Sequence, residues 1–183
     1  MTDARGSTSA EGAVAFTDIV GFTEFCALRG DDEAVALLSL QERLVRDALP
    51  PGARIVKELG DGLLLWFPTA TTSLTTCLEL QDSFERESQD PLMPLWVRIG
   101  LHWGRPASRG DDLVGHDINV TARIVDMAGP GEVLVSEALH AQVADAPCEV
   151  RFDELGPMVM KGVPEPVRLY RALPARQPSS TRL

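Results

Sequence analysis

Phe16-Thr17-Asp18-Ile19-Val20-Gly21-Phe22-Thr23 and, further on, Lys57-Glu58-Leu59-Gly60-Asp61-Gly62 carry one acid each in two different settings. Asp18 follows an apolar run, Ala13 to Phe16, that reads as a buried strand. Asp61 stands between two glycines, at the tip of a strand-turn-strand hairpin over Arg54 to Phe67. A carboxylate at the end of a core strand and another on a tight turn can converge on a hard cation such as Mg²⁺. Two such ions can clamp both ends of a phosphoryl displacement. Metal-assisted chemistry on a nucleotide is the first expectation.

Working outward, Gly21–Leu28 suits a short helix. Asp32 is placed to cap a longer one that puts Leu37, Leu38, Gln41, Leu44, Val45 and Ala48 on one face, until Pro50-Pro51-Gly52 stops it. Beyond the hairpin, Thr71–Glu87 reads as a helix and Leu95–Trp103 as a strand in which Trp96, Arg98 and Gly100 alternate with Val97, Ile99 and Leu101. Gly104–Asp111 is a polar excursion. His116–Met127 suits a helix, Glu132–Ser136 a strand and Glu137–Ala144 a short helix. Glu149–Phe152 and Val167–Arg171 read as the last strands, joined around Lys161-Gly162-Val163-Pro164. The order β-α-α-β-β-α-β-α-β-α-β-β contains a β-α-β-β-α-β unit. The expected class is α+β, with a ferredoxin-like core of helices on one face of an antiparallel-rich sheet and extra C-terminal strands and helices.

The chain has 183 residues, 44% hydrophobic and 24% charged, which suits one soluble domain with a sizeable core. Residues 1–12 read as a disordered leader, 13–173 as the domain and 174–183 as a flexible tail. A net charge of −10 argues against a nucleic-acid partner, because such binding rests on clustered Lys and Arg. No apolar stretch approaches the roughly 20 residues that span a bilayer, and the leader lacks a secretory pattern. Cys26, Cys77 and Cys148 lack zinc spacing and read as reduced packing residues. These features together point to a cytoplasmic protein.

Six stretches, taken in order, resemble the catalytic domains of class III nucleotidyl cyclases. They are Phe16–Thr23, Lys57–Gly62, Gly100-Leu-His-Trp-Gly-Arg105, Asp112-Leu-Val-Gly-His-Asp-Ile-Asn-Val-Thr-Ala-Arg123, Gly131-Glu-Val-Leu-Val-Ser136 and Lys161-Gly-Val-Pro-Glu-Pro166. The resemblance covers Ala13 to Leu173. It implies cyclisation of a nucleoside triphosphate by attack of the ribose 3′-oxygen on the α-phosphorus, in a head-to-tail homodimer with two interfacial sites.

Carried onto this sequence, the resemblance makes Asp18, Asp61 and the Ile19 carbonyl ligands of two Mg²⁺ or Mn²⁺ ions. Lys57 and Asp112 become the pair that selects the base. Lys donates to N1 of adenine and Asp accepts from N6, whereas guanine presents the reverse pattern, so ATP is the expected substrate and cyclic AMP the product. Asn119 would orient the ribose. Arg123 would stabilise charge on the α-phosphate. Lys161, and at a less constant position Arg105, would reach the other phosphates. Thr121 stands where the family more usually has Ala or Ser.

Read singly, these residues have plainer roles. Asp18 is a helix cap, Asp61 a turn residue, and Lys57, Lys161 and Arg105 solvated charges. Asn119 is then a helix N-terminal Asn, and Arg123 an exposed Arg paired with Asp117 or Asp126. His102 alternates along a strand and reads as packed. Trp66, Trp96 and Trp103 read as core or dimer-interface residues. A guanylate cyclase and a catalytically silent nucleotide-binding module remain as alternatives. A diguanylate cyclase does not, because its Gly-Gly-Asp/Glu-Glu-Phe turn is missing. The residues name no regulator, which leaves a separate regulatory protein open.

Overall fold

The computed structural model of the chain describes residues 10–90, 92, 94–144 and 149–175. Most of the expected leader and tail, and Cys148, lie outside these residues. Strand β1 (Gly12–Ile19) is followed by α1 (Phe22–Arg29), α2 (Asp31–Ala48), the hairpin β2 (Arg54–Leu59) and β3 (Gly62–Phe67), and α3 (Ala70–Glu87). Then come β4 (Val97–Gly104), a small ribbon β5 (Ala107–Arg109) and β6 (Asp112–Val114), α4 (His116–Met127), β7 (Val133–Ser136), α5 (Glu137–Val143), β8 (Val150–Met158) and β9 (Val167–Pro174). Seven strands form one sheet in the order β2-β3-β1-β4-β7-β9-β8. Among the described residues only the β4–β7 pairing of this sheet is parallel.

The period-two alternation of β1 and β4 sorts their side chains between two faces. Ala13 and Ala15 join Leu65, Phe67, Val97, Ile99 and Leu101 beneath α2, α3 and α5. The helices contribute Leu37, Val45, Leu74, Cys77, Phe84, Leu139 and Val143, all buried. Burial pushes the Cys77 thiol far above its ordinary pKa, so it is an inert packing group. Val14, Phe16 and Leu64 face the other way, against Ile118 and Val125 of α4 and Leu113 of β6. The helices of the β-α-β-β-α-β unit thus share one face as expected, and α4, one of the added C-terminal helices, covers the opposite face. The cause is at β4: a Cβ on Gly100 would lie 2.5 Å from the Val125 backbone nitrogen. Only a strand with no side chain there lets a helix dock so closely. Gly100→Ala is therefore expected to cost about 2–3 kcal/mol by overpacking, read as a lowered urea midpoint.

Other local expectations shift, and β8 runs on to Met158. Helix α2 starts after Gly30, and Asp32 sits in its first turn beside Asp31 and Glu33, where its charge meets the positive helix end. The polar excursion folds into the β5–β6 ribbon. Strand β1 begins at Gly12, paired with Gly104, and β9 extends to Pro174, paired with Val150.

Candidate active site

The metal-ligand candidates come together where β1, β3 and β4 meet. Asp18 pairs across the sheet with Gly62 on one side and Arg98 on the other. Gly60 and Asp61 form the two-residue turn between β2 and β3, with Gly60 at φ 66°. A Cβ on Gly62 would lie 2.6 Å from the Thr17 carbonyl oxygen. One glycine of Gly60-Asp61-Gly62 thus serves the turn, and the other lets the hairpin close onto β1 beside Asp18. The buried Thr17 hydroxyl fixes this end further. It accepts hydrogen bonds from Gln41 Nε2 at 3.2 Å and Leu63 N at 3.3 Å. Ile19 is the last residue of β1, and its side chain is anchored in the core.

The Asp18 charge acts on Asp61. Partial burial, and then the negative charge of Asp18, hold the Asp61 carboxyl above its ordinary pKa, and Arg98 opposes the shift. Among the described residues no three or more His, Cys, Asp or Glu side chains form a ready cage for a metal. Two carboxylates beside open surface instead suit a hard divalent ion that takes its remaining oxygens from water or a phosphate.

The base-pocket candidates meet directly. Lys57 Nζ lies 2.8 Å from Asp112 Oδ1 and 2.9 Å from Oδ2. The hydrogen bond from Lys57 holds the Asp112 carboxyl below its ordinary range. A bulge between Ile55 and Lys57 shifts the β2–β3 register just at this lysine. Arg54 Nη1 donates to the Asp111 carbonyl oxygen at 2.9 Å, tying the β5–β6 ribbon to β2. The Lys57 contact falls on Asp112, its neighbour Asp111 being held through its backbone.

Helix α4 exposes Asn119 and Arg123 on one side and buries Ile118, Val120, Thr121, Ile124 and Val125. Thr121 is buried and returns its hydroxyl to the Asp117 carbonyl oxygen at 2.7 Å, which satisfies it within the helix. Arg123 Nη1 bonds Asp126 Oδ2 at 3.0 Å. Asp117 serves instead to seat the start of the helix. Its Oδ2 accepts from Arg105 N at 2.6 Å, and its Oδ1 lies 3.4 Å from His102 Nε2. His102 Nδ1 lies 2.8 Å from Ser136 Oγ. Burial lowers the His102 pKa despite Asp117, so the neutral ring is favoured. His102 is packed, as expected, and also links β4 to α4 and to the end of β7.

The phosphate candidates stand apart. Lys161 is exposed in the turn after β8, and Arg105 pairs with Glu11 Oε2 at 2.9 Å. Trp103 donates to the same Glu11 carboxylate at 3.0 Å, while Trp96 is exposed and Trp66 partly buried. Of two cavities of about 400 Å³, one is lined by His102, His116, Ser136, Glu165 and Arg168 and so borders the Lys161–Pro166 stretch, and the other by Gln81, Asp82 and Arg151. Neither is lined by Asp18, Asp61, Lys57, Asn119 or Arg123.

Two residues escaped the sequence reading. Arg98 Nε donates to Asp18 Oδ2 at 2.7 Å, and Arg54 holds Asp111. The signal for Arg98 was its place on the β4 face opposite Val97 and Ile99, but only the β1–β4 register names Asp18 as its partner.

The profile of the adenylate and guanylate cyclase catalytic domain matches residues 7–172. A pH-sensitive adenylate cyclase of Mycobacterium tuberculosis is 32% identical over 160 residues, covering 86% of this chain and 39% of that protein. This chain spans less than half the length of the curated relatives it matches. The crystal structure of the guanylyl cyclase Cya2 superposes with a TM-score of 0.81 at 22% identity, covering 96% of this chain and 98% of that one. An adenylate/guanylate cyclase/hydrolase structure from Silicibacter pomeroyi superposes at 0.77 with 27% identity, covering 92% and 99%. No helix among the described residues is long and apolar enough to cross a membrane. With the profile spanning nearly its whole length, the chain belongs to the adenylate and guanylate cyclase catalytic domain family.

Proposed function

We propose that this domain is an adenylate cyclase that converts ATP to 3′,5′-cyclic AMP and pyrophosphate at sites shared between two copies of the chain. The observation that carries the choice of ATP is the Lys57–Asp112 contact. It sets an obligate donor beside an obligate acceptor, the pair that the N1 and N6 edge of adenine requires and that guanine reverses. The adenylate cyclase name of the M. tuberculosis relative supports the same choice.

In this reading Asp18, Asp61 and the Ile19 carbonyl hold two Mg²⁺ or Mn²⁺ ions. Bound there, the ions supply charge neutralisation for the triphosphate and a lowered pKa for the 3′-hydroxyl. Asn119 orients the ribose. The 3′-oxygen bonds to the α-phosphorus and loses its proton to water, the bond to the β-bridging oxygen breaks, and pyrophosphate leaves. Arg123 meets the charge that grows on the α-phosphate, and Lys161 and Arg105 meet the remaining phosphates. The Asp18–Asp61 cluster and the α4 side chains belong to different sites of a head-to-tail dimer. Exposed Trp96 and Met127, next in sequence to Val97 and Asp126, offer apolar contact for such a partner.

The test is product identification by mass after incubation with ATP or GTP in Mn²⁺ and then Mg²⁺. Cyclic AMP is expected from ATP. Lys57→Glu with Asp112→Ser should lower kcat/KM for ATP by about 100-fold or more, because the N1 and N6 edge of adenine then meets groups that cannot pair with it. A GTP preference in the unmodified protein would establish the guanylate alternative. No cyclic product from either nucleotide, with the dimer present, would favour a silent binding module.

A further inference from the structure

Arg98 belongs to none of the roles above, yet it touches both halves of the machinery. Its Nε donates to Asp18 Oδ2 at 2.7 Å, and its Nη1 donates to the Asp126 carbonyl oxygen at 3.2 Å. Its Nη2 lies 4.0 Å from Asp126 Oδ1, and the other oxygen of that carboxylate holds Arg123 at 3.0 Å. Asp18, Arg98, Asp126 and Arg123 thus form a line of alternating charge from the end of β1 to the exposed side of α4.

We propose that Arg98 is a positioning residue that moves between Asp18 and Asp126, and so ties cation binding on β1 to the hold on Arg123 of α4. The proposal rests on the reading of Asp18 and Asp61 as cation ligands. A guanidinium does not deprotonate, so its charge persists when a cation takes Asp18. With Asp18 and Asp61 both turned to that cation, Asp126 is the remaining carboxylate that Arg98 already touches. A second guanidinium on Asp126 loosens the first, and Arg123 is released toward substrate. Because Asp18 and Arg123 of one chain serve different sites of the proposed dimer, loading one site prepares the other. The side chains of Arg98 and Asp18 are each 26% exposed, so solvent screens their pairing less than that of an open surface pair.

Mn²⁺ titration, with free ion read by its EPR signal and no nucleotide present, tests the exchange. Arg98→Met should tighten Mn²⁺ binding about three- to tenfold, because a competing cation is removed. Asp126→Asn should weaken it about threefold by leaving Arg98 on Asp18, and should have no effect once Arg98 is Met. In [¹⁵N]arginine-labelled protein, Mg²⁺ should shift the Arg123 Nε–H resonance, and Arg98→Met should abolish that shift. Unchanged affinity in Arg98→Met overturns the inference, as does an equal effect of Asp126→Asn in both backgrounds, which is a simple field effect. An Arg123 resonance that ignores Mg²⁺ does so too. These failures leave the metal reading intact if Asp61→Ala still abolishes Mn²⁺ binding. Absence of Mn²⁺ binding in the unmodified protein removes the metal reading itself, and the inference with it.

Discussion

Asp61→Asn is expected to abolish cyclase turnover and, in the same protein, to raise the thermal midpoint measured without metal. The substitution keeps the shape of the side chain and removes its charge. Turnover should fall by about a thousandfold or more, because the transferring phosphoryl group loses a cation site placed where charge develops. The stability change has the opposite sign for a local reason. Partial burial and the Asp18 carboxylate raise the Asp61 pKa above its ordinary value of 3.8. A carboxyl whose folded pKa is raised stabilises the fold at low pH, and that stability is lost as pH rises through the folded value. At neutral pH the ionised Asp61 is a standing penalty, which Asn removes. A gain of about 1–3 °C is expected at pH 7, shrinking as pH falls below the folded value. Mn²⁺ should raise the midpoint of the unmodified protein and leave that of Asp61→Asn unchanged. A lower midpoint in the variant would mean that Asp61 is held by favourable contacts, and retained turnover would remove it from the reaction.

That conflict between stability and chemistry also explains which parts of the site were legible beforehand. Gly60-Asp61-Gly62 was readable because both glycines answer local demands, a positive φ and a close approach to Thr17. That Asn119 and Arg123 share one side of α4 was readable because a spacing of four fixes one side of a helix whatever it packs on, whereas the roles expected of them came from the resemblance alone. The side of the sheet that α4 would take was not readable, because it depends on Gly100 meeting Val125 across the core. The β5–β6 ribbon was not readable either. Three-residue strands carry too little alternation to be seen, and theirs is held by Arg54 reaching the Asp111 carbonyl from β2. Arg98 shows the general limit. Its alternation with Val97 and Ile99 gave its face, but its partner Asp18 is 80 residues away and is set by strand register. Sequence pattern reports what each residue turns toward, and long-range pairing decides what it meets.

Mixing Asp61→Ala with Arg123→Ala is expected to restore activity that neither protein has alone. Arg123 is exposed on α4 and held by Asp126 of its own chain, and neither large cavity of the single chain includes it or Asp61. If the two residues complete each other only across a two-fold interface, each homodimer of a variant lacks one essential group at both sites. Arg123→Ala alone should cost about 10²–10³ in kcat, the usual loss for one preorganised donor at developing charge. In a mixed dimer one site receives both defects and the other receives neither. With free exchange at equal concentrations, about half the dimers are mixed and about half their sites are intact, so about one quarter of wild-type activity should return. Placing both substitutions on one chain reverses the outcome. Mixed with unmodified protein, that chain leaves each heterodimer site with one defect, and activity should fall toward the share of unmodified homodimers. No recovery in the first mixture, with subunit exchange shown by mass, would place Asp61 and Arg123 in a site built from one chain. Recovery in the first mixture and suppression in the second can arise together only if the site is divided between protomers.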